Sequence, residues 1–169
     1  MNGFRRALRL TTLLLSAALA SACSADSVVP QPRLPTTTAC FVTNQKTIPV
    51  TLEIAREFEQ RQKGLMGRTV MPPEAGMLFV YQRPQSANHG FWMYNTLIPL
   101  DIGYVAENGV IGSIRKMAPC TSSRGSNCPT YPAGVEFTFA VEMNDGFFAE
   151  NGITVGNRLL LGESNCAAD

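Results

Sequence analysis

The sequence predicts a mainly β fold, an antiparallel β-sandwich or flattened, jelly-roll-like barrel with one or two short helices. Three observations lead to this prediction. Several segments alternate apolar and polar residues with the period of a half-buried strand, and turn-forming residues separate these segments at short intervals. Roughly seven such segments fit into the chain, which is long enough for one domain with a normal core.

The first half of the chain predicts two strands on either side of a short helix. Residues 48–55 alternate regularly and predict the first strand. Residues 57–66 change to a helical period, with acidic residues leading and basic residues following. The prolines within residues 71–76 predict a turn, which delivers the chain into an apolar strand over residues 77–81.

The second half predicts a hairpin followed by the most regular strand of the chain. Residues 91–96 and 100–105 predict strands, and Asn108-Gly109 predicts the tight turn that pairs 100–105 with residues 110–117. The remaining predicted elements are a regularly alternating strand over 135–143, one or two helical turns over 145–152 and a last strand over 157–161.

The N-terminus predicts export. Residues 1–22 combine three arginines with an apolar run that is too short to cross a bilayer, which is typical of a signal peptide. Residues 19–23 resemble a bacterial lipoprotein cleavage box, in which Cys23 becomes the lipid attachment site. Ordinary cleavage after Ala20 or Ala22 is the alternative. We expect a protein on the periplasmic side of the cell envelope, attached to the membrane through a lipid anchor at Cys23.

Residues 23–46 predict an extended tether in front of a single β domain over residues 47–166, because they combine several prolines with a run of threonines.

Removal of the three leader arginines leaves 11 basic residues against 13 acidic ones, a net charge of −2. Such a chain has no basic excess with which to hold nucleic acid.

The cysteines predict disulfides. With Cys23 assigned to lipid, four cysteines remain, and an even number in an exported chain indicates disulfide bonds. We favour pairing Cys120 with Cys128 across a short polar loop, and Cys40 with Cys166 near the two ends of the domain. An unpaired Cys40 or Cys166 is the alternative. The spacing matches no zinc motif, and we predict neither a metal nor a cofactor.

Residues 90–104 predict the functional site. They contain the only tryptophan of the chain and set Asn95, Thr96 and Asp101 among large apolar side chains. A buried amide or carboxyl group must be satisfied or used, because it otherwise lowers stability. The candidate ligand-binding residues are Arg68, Trp92, Asn95, Thr96, Asp101, Tyr131 and Glu142.

Residues 61–162 resemble, almost throughout, the domain of unknown function 192 family of bacteria and archaea. The matching segments are residues 64–66 with Arg68, 76–79, 91–93 with Asn95 and Thr96, and 99–102. The resemblance implies a mostly β fold, often behind a signal or anchor segment. It supplies no catalytic residues.

Two classes of function follow, and a third stays open. A small-ligand-binding lipoprotein module, for carbohydrate or another polar molecule, fits the aromatic and planar polar side chains. A hydrolase would need Asp101 and Glu142 as a carboxylate pair, unless Arg68 or a backbone amide ties Asp101 as an anchor. The chain has no recognisable catalytic motif, and its only histidine, His89, is expected to be solvated or capping. The third class is an envelope assembly module without a ligand.

Overall fold

The computed structural model describes residues 28–163 and residue 166. The predicted leader and the predicted lipid attachment site at Cys23 lie outside these residues. The described part is mainly β, with two short helices, as the sequence predicts. Its strands are β1 Thr36–Val42, β2 Thr47–Ala55, β3 Ala75–Gln85, β4 Gly90–Trp92, β5 Leu100–Val105, β6 Ile111–Met117, β7 Thr130–Pro132, β8 Phe137–Asn144 and β9 Arg158–Leu161, and its helices are α1 Phe58–Lys63 and α2 Phe147–Glu150.

Seven strands form one sheet in the order β6-β5-β8-β3-β2-β1-β9, and β4 pairs with β7 in a small second sheet. All neighbours in the large sheet are antiparallel except β2 and β3, which are parallel. The sheet is therefore mixed, whereas the sequence predicted antiparallel pairing throughout. A parallel pair needs a long crossover connection, and α1 lies in that connection.

The large sheet curls until its two edges touch. Val110, in the turn between β5 and β6, forms an isolated bridge with Arg158 of β9. The N–H of Ile111 donates to the carbonyl of Asn157 at 2.9 Å, and the N–H of Leu159 donates to that of Gly109 at 2.8 Å. Within the described part of the chain, the two edges of the sheet meet only over these few residues. The sheet is therefore curled but is not a closed barrel.

Each face of the curled sheet carries its own apolar cluster. The first cluster includes Leu52, Val141 and Phe148. The second includes Phe79, Tyr104, Phe137 and Ala140 on the opposite face. Because successive side chains of a strand point to opposite faces, a residue's position in its strand decides which cluster it joins. This division determines which polar residues can meet.

The predicted tether is wrong over its second half. Residues 36–42 form β1, which pairs with β2 on one side and β9 on the other. Ala39, Cys40 and Phe41 are fully buried. The threonines suit a strand as well as they suit a linker, because β-branched side chains favour extended structure.

Both predicted disulfides are present. Cys40 of β1 is joined to Cys166, and Cys120 is joined to Cys128. The second bond closes a loop that contains a single 3-10 turn over Gly125–Asn127. Cys120 also forms bridges with Tyr94 and Thr96, so this disulfide loop is tied to the segment that follows β4.

Candidate functional site

A cavity of about 470 Å³ lies between α1, the second half of β3 and β4. Its lining combines guanidinium groups with aromatic rings. The lining residues of these two kinds are Arg56, Phe58, Arg61, Tyr81, Arg83, His89, Phe91 and Trp92. The cavity lies beside Trp92, where the sequence predicted a site, but several of its lining residues were not among the predicted ones.

Helix α1 places Arg61 at this cavity. The helix begins with a capping box, in which the side chain of Glu57 accepts from the N–H of Gln60, and the side-chain oxygen of Gln60 accepts from the N–H of Glu57 at 3.0 Å. The guanidinium of Arg61 donates to the carbonyl of Arg56, and to that of Val80 at 3.3 Å. It also lies over the ring of Tyr81, 4.8 Å from the centroid. The positive charge is therefore held in place.

His89 belongs to an aromatic wall and is not a solvated or capping residue. Its Nε2 lies 3.3 Å from the hydroxyl of Tyr81, and its ring packs edge-on against Tyr81 and Phe137. Burial and the nearby charge of Arg61 lower the pKa of His89. Burial raises the pKa of Tyr81 to about 12. Both side chains are therefore uncharged at neutral pH.

Trp92 lines the cavity and is 40% exposed. The ring lies 5.6 Å from that of Tyr94, and it packs against Gly125 of the disulfide loop. A Cβ atom on Gly125 would come within 2.8 Å of Cζ3 of Trp92. The loop thus fits closely against Trp92 because residue 125 has no side chain.

Glu142 is a carboxylic acid buried in the second apolar cluster. It is 4% exposed and stands opposite Met77 and Ile102 on the neighbouring strands. Within residues 28–163 and 166, no group donates a hydrogen bond to its carboxyl and no cation pairs with it. Burial raises the pKa of Glu142 to about 8. The residue lines a second, small cavity of about 20 Å³, together with Thr96, Arg61 and Trp92.

Asp101 lies on the other face of the sheet, so the predicted carboxylate pair is wrong. Asp101 stands opposite Met143, whereas Ile102 stands opposite Glu142. The two acids therefore point to opposite faces, and they cannot flank one bond. The Oδ2 atom of Asp101 accepts from the N–H of Gly146 at 3.0 Å. Its role is to anchor the turn before α2.

Burial raises the pKa of Asp101, although the charge of Lys116 and the backbone hydrogen bonds oppose this effect. Its Oδ1 atom is buried without a hydrogen-bond partner. The anchor is therefore incomplete at one oxygen.

Arg68 is also structural, but it pairs with Glu53; of the two anchors considered for Asp101, the backbone amide is the one present. Its Nη2 atom lies 3.0 Å from Oε2 of Glu53, and both side chains are buried. Glu53 also accepts from Arg33 at 2.7 Å and from the N–H of Leu34 at 2.9 Å. Burial alone would raise the pKa of Glu53, but these hydrogen bonds and the charge of Arg68 outweigh burial and lower it.

Asn95 and Tyr131 support the site without lining either cavity. Asn95 has φ of 55°, and its N–H donates to the carbonyl of Cys120 at 2.8 Å. The strand predicted over 91–96 ends at Trp92, and the left-handed Asn95 prevents one continuous strand from reaching Thr96. The hydroxyl of Tyr131 accepts from the N–H of Ala118, and its carbonyl accepts from the hydroxyl of Tyr104.

Of the seven predicted ligand-binding residues, Trp92, Thr96 and Glu142 line the two cavities. Arg61, Tyr81 and Arg83 line the larger cavity but were not among the seven candidates. The only sequence signal for these three residues was the position of Arg61 on the predicted helix. Tyr81 and Arg83 lie at the cavity because β3 extends to Gln85, beyond the strand predicted over residues 77–81.

In the described residues, no group of three or more histidine, cysteine or acidic side chains is placed to hold a metal ion. No described helix has the length and apolarity needed to cross a membrane.

The fold and site define a disulfide-containing, mainly β domain with a ligand-sized cavity beside its small second sheet. The chain belongs to the DUF192 family, described as "Uncharacterized ACR", whose pattern matches residues 40–161. This finding confirms the resemblance noted from the sequence. No curated protein gives a significant match to the chain.

The solved structures that are similar to the chain include two crystal structures. The first is a protein from Sinorhizobium meliloti 1021 provisionally described as a transcription regulator, with 28% identity and a TM-score of 0.68, and the match covers 78% of this chain and 97% of that one. The second is a protein of unknown function from Novosphingobium aromaticivorans DSM 12444, with 29% identity and a TM-score of 0.68, and it covers 81% of this chain and 93% of that one.

Proposed function

We propose that this protein is an exported, lipid-anchored module of the cell envelope that binds a small polar ligand. Carbohydrate is the class of ligand that we propose first. The observation behind the proposal is the cavity beside Trp92, which joins an aromatic platform to the fixed guanidinium of Arg61. Its volume of about 470 Å³ lies within the usual range for small-molecule sites. Sugar rings stack on aromatic faces, and arginine donates hydrogen bonds in a fixed planar geometry.

Binding fits the described residues better than hydrolysis does. Asp101 and Glu142 point to opposite faces, and His89 is packed among aromatic rings.

A nucleic-acid ligand, as the description of the Sinorhizobium protein would suggest, also fits poorly. Without its predicted leader the chain carries a net charge of −2, and nucleic-acid binding relies on basic residues that neutralise phosphates.

The lipid anchor at Cys23 is part of the same proposal. Cys23 precedes Val28 by five residues, a span of at most about 18 Å when fully extended. Val28 and Pro30 pack against Gly67, where a Cβ atom would come within 2.5 Å of the Val28 carbonyl. Gln31 donates to the carbonyls of Gln60 and Gly64 in the region of α1. A lipid at Cys23 would hold this part of the domain close to the membrane surface.

Ligand binding can be tested through the fluorescence of Trp92, the only tryptophan. We expect one of glucose, N-acetylglucosamine and glucuronate to change the emission of the purified domain in a saturable way. Arg61→Met should weaken that binding at least tenfold, since it removes a charge and several donors at the cavity. Arg158→Met, on the remote strand β9, is the matched control and should bind as the parent does. A panel without any saturable response would overturn the proposal for carbohydrate.

The anchor is tested separately, by growing cells with a radioactive fatty acid. The parent protein should be labelled and should sediment with membranes, whereas Cys23→Ser should be unlabelled. A mature protein that begins at Ser21, or one that is unlabelled and released with the periplasmic fraction, would overturn the anchor.

A further inference from the structure

We propose that Glu142 is the deep contact of the ligand, and that the ligand is a neutral molecule with a hydroxyl group that enters the small cavity. This inference rests on the proposed function, because it assumes that the larger cavity is the ligand site. It adds the chemical group of the ligand that enters the small cavity and the residue that binds this group.

The two cavities adjoin each other. Arg61, Gln62, Phe91 and Trp92 line both of them, so these four residues lie at the boundary between the outer cavity and the inner one. The inner cavity measures about 20 Å³, which is enough for a single water-sized group. Its polar lining includes the buried side chains of Thr96 and Glu142. A ligand in the outer cavity could thus place one small polar group beside Glu142.

Glu142 lacks what a structural buried acid normally has. Glu53 and Asp101 are also buried, but Glu53 has two arginine partners and Asp101 has the N–H of Gly146. In the part of the chain that the structure describes, Glu142 has no such partner. A buried polar group without a hydrogen bond lowers stability, and native proteins tolerate this mainly at functional sites. The missing partner is supplied when a ligand binds.

The charges around the inner cavity select a neutral group. An ammonium group would have to pass the guanidinium of Arg61, which lines both cavities. An anionic group would meet the carboxyl of Glu142 at close range in an apolar surrounding. A hydroxyl group can donate to an ionised carboxylate or accept from a protonated one, so it satisfies Glu142 in either state without burying a second charge.

The experiment uses two substitutions of Glu142. Glu142→Gln keeps the shape and can still bond a hydroxyl group, whereas Glu142→Met fills a similar volume without polar atoms. We expect the affinity for the responding sugar to fall at least tenfold in Glu142→Met, and less than threefold in Glu142→Gln. Glu136→Met, an exposed acid outside both cavities, is the control. The carboxyl ¹³C signal of Glu142, assigned by its loss in Glu142→Gln, should shift when the sugar is added.

The outcomes separate the inference from the proposed function. If a sugar changes Trp92 emission and binds equally well to Glu142→Met, the deep contact is wrong while the outer site stands. If glucosamine binds more tightly than glucose, the hydroxyl assignment is wrong. If no sugar changes either Trp92 emission or the Glu142 signal, both the carbohydrate proposal and this inference are overturned.

Discussion

The guanidinium of Arg68 and the carboxylate of Glu53 form an ion pair of 3.0 Å in which both side chains are less than a tenth exposed. The pair joins β2 to the segment that follows α1, beside the residues that precede β1. Glu53 accepts further hydrogen bonds from Arg33 and Leu34, whereas Nε of Arg68 is buried without a partner. Glu53 therefore has more hydrogen-bond partners than Arg68 has.

Substitution of Glu53 should lower the stability of the protein more than substitution of Arg68. Glu53→Gln leaves Arg68 buried without a counter-charge and should lower the free energy of unfolding by about 3 to 5 kcal/mol. Arg68→Met leaves Glu53 with Arg33 and the Leu34 N–H, so we expect a smaller loss of about 1 to 3 kcal/mol. Arg33→Met, whose side chain is 62% exposed, should change stability by less than about 1 kcal/mol. Urea unfolding measures all three, and equal losses at positions 53 and 68 would contradict this order.

Asp101→Asn should affect neither ligand binding nor stability strongly. The amide oxygen can still accept from the Gly146 N–H, and burial already disfavours the charge that is removed. We expect a change in the free energy of unfolding of less than about 1 kcal/mol. Asp101→Leu loses the acceptor as well and should cost about 1 to 3 kcal/mol. Calorimetric melting with a sugar titration checks this, and a loss of binding in Asp101→Asn would show that this acid serves the site.

The strands were predictable from the sequence because alternation is a local signal. Residues 48–55 lie on β2, residues 137–143 of the strand predicted over 135–143 lie on β8, and Asn108-Gly109 lies in the turn between β5 and β6. The disulfides were predictable because loop length and position left few sensible pairings. Strand β1 was missed, since its threonines and the neighbouring prolines resemble a linker in composition.

The site was only partly predictable because it depends on pairing across the sheet. Asp101 and Glu142 both lie on strands, as expected, but the register between β5 and β8 sets their side chains on opposite faces. The partner of Arg68 is Glu53, which local alternation placed on the polar face of its strand. The cavity itself needs the crossover from β2 to β3 to place α1 beside β4, and no local pattern specifies that placement.

The disulfide loop should control the position of Trp92. Gly125→Ala would set a Cβ atom 2.8 Å from the Trp92 ring, so we expect the ring to move and its emission maximum to shift. The double change Cys120→Ser with Cys128→Ser should shift it too, and should lower stability by about 2 to 3 kcal/mol through the lost loop closure. Ser126→Ala, an exposed position in the same loop, is the control. Unchanged emission in both variants would show that the loop does not hold Trp92.

Glu142 should make the stability of the protein fall as pH rises. Its folded-state pKa of about 8 lies above its ordinary value of 4.5, so between these values the folded state holds a proton that the unfolded state has released. The free energy of unfolding therefore decreases in this window, by at most about 1.4 kcal/mol per pH unit. The stabilising contribution is complete below pH 4.5 and is lost as pH rises through 8.

The charged and titratable groups near Glu142 do not hide this effect. Tyr81 and Tyr104 have raised pKa values and stay neutral throughout the window, and Arg61 stays charged. His89 has a lowered pKa, so its contribution runs in the opposite direction below about pH 6.5. The difference between the parent and Glu142→Gln cancels His89, because both proteins contain it. We expect the stability of Glu142→Gln, measured by urea unfolding from pH 5 to pH 8, to gain steadily on the parent, whereas parallel curves would show that Glu142 ionises normally in the folded protein.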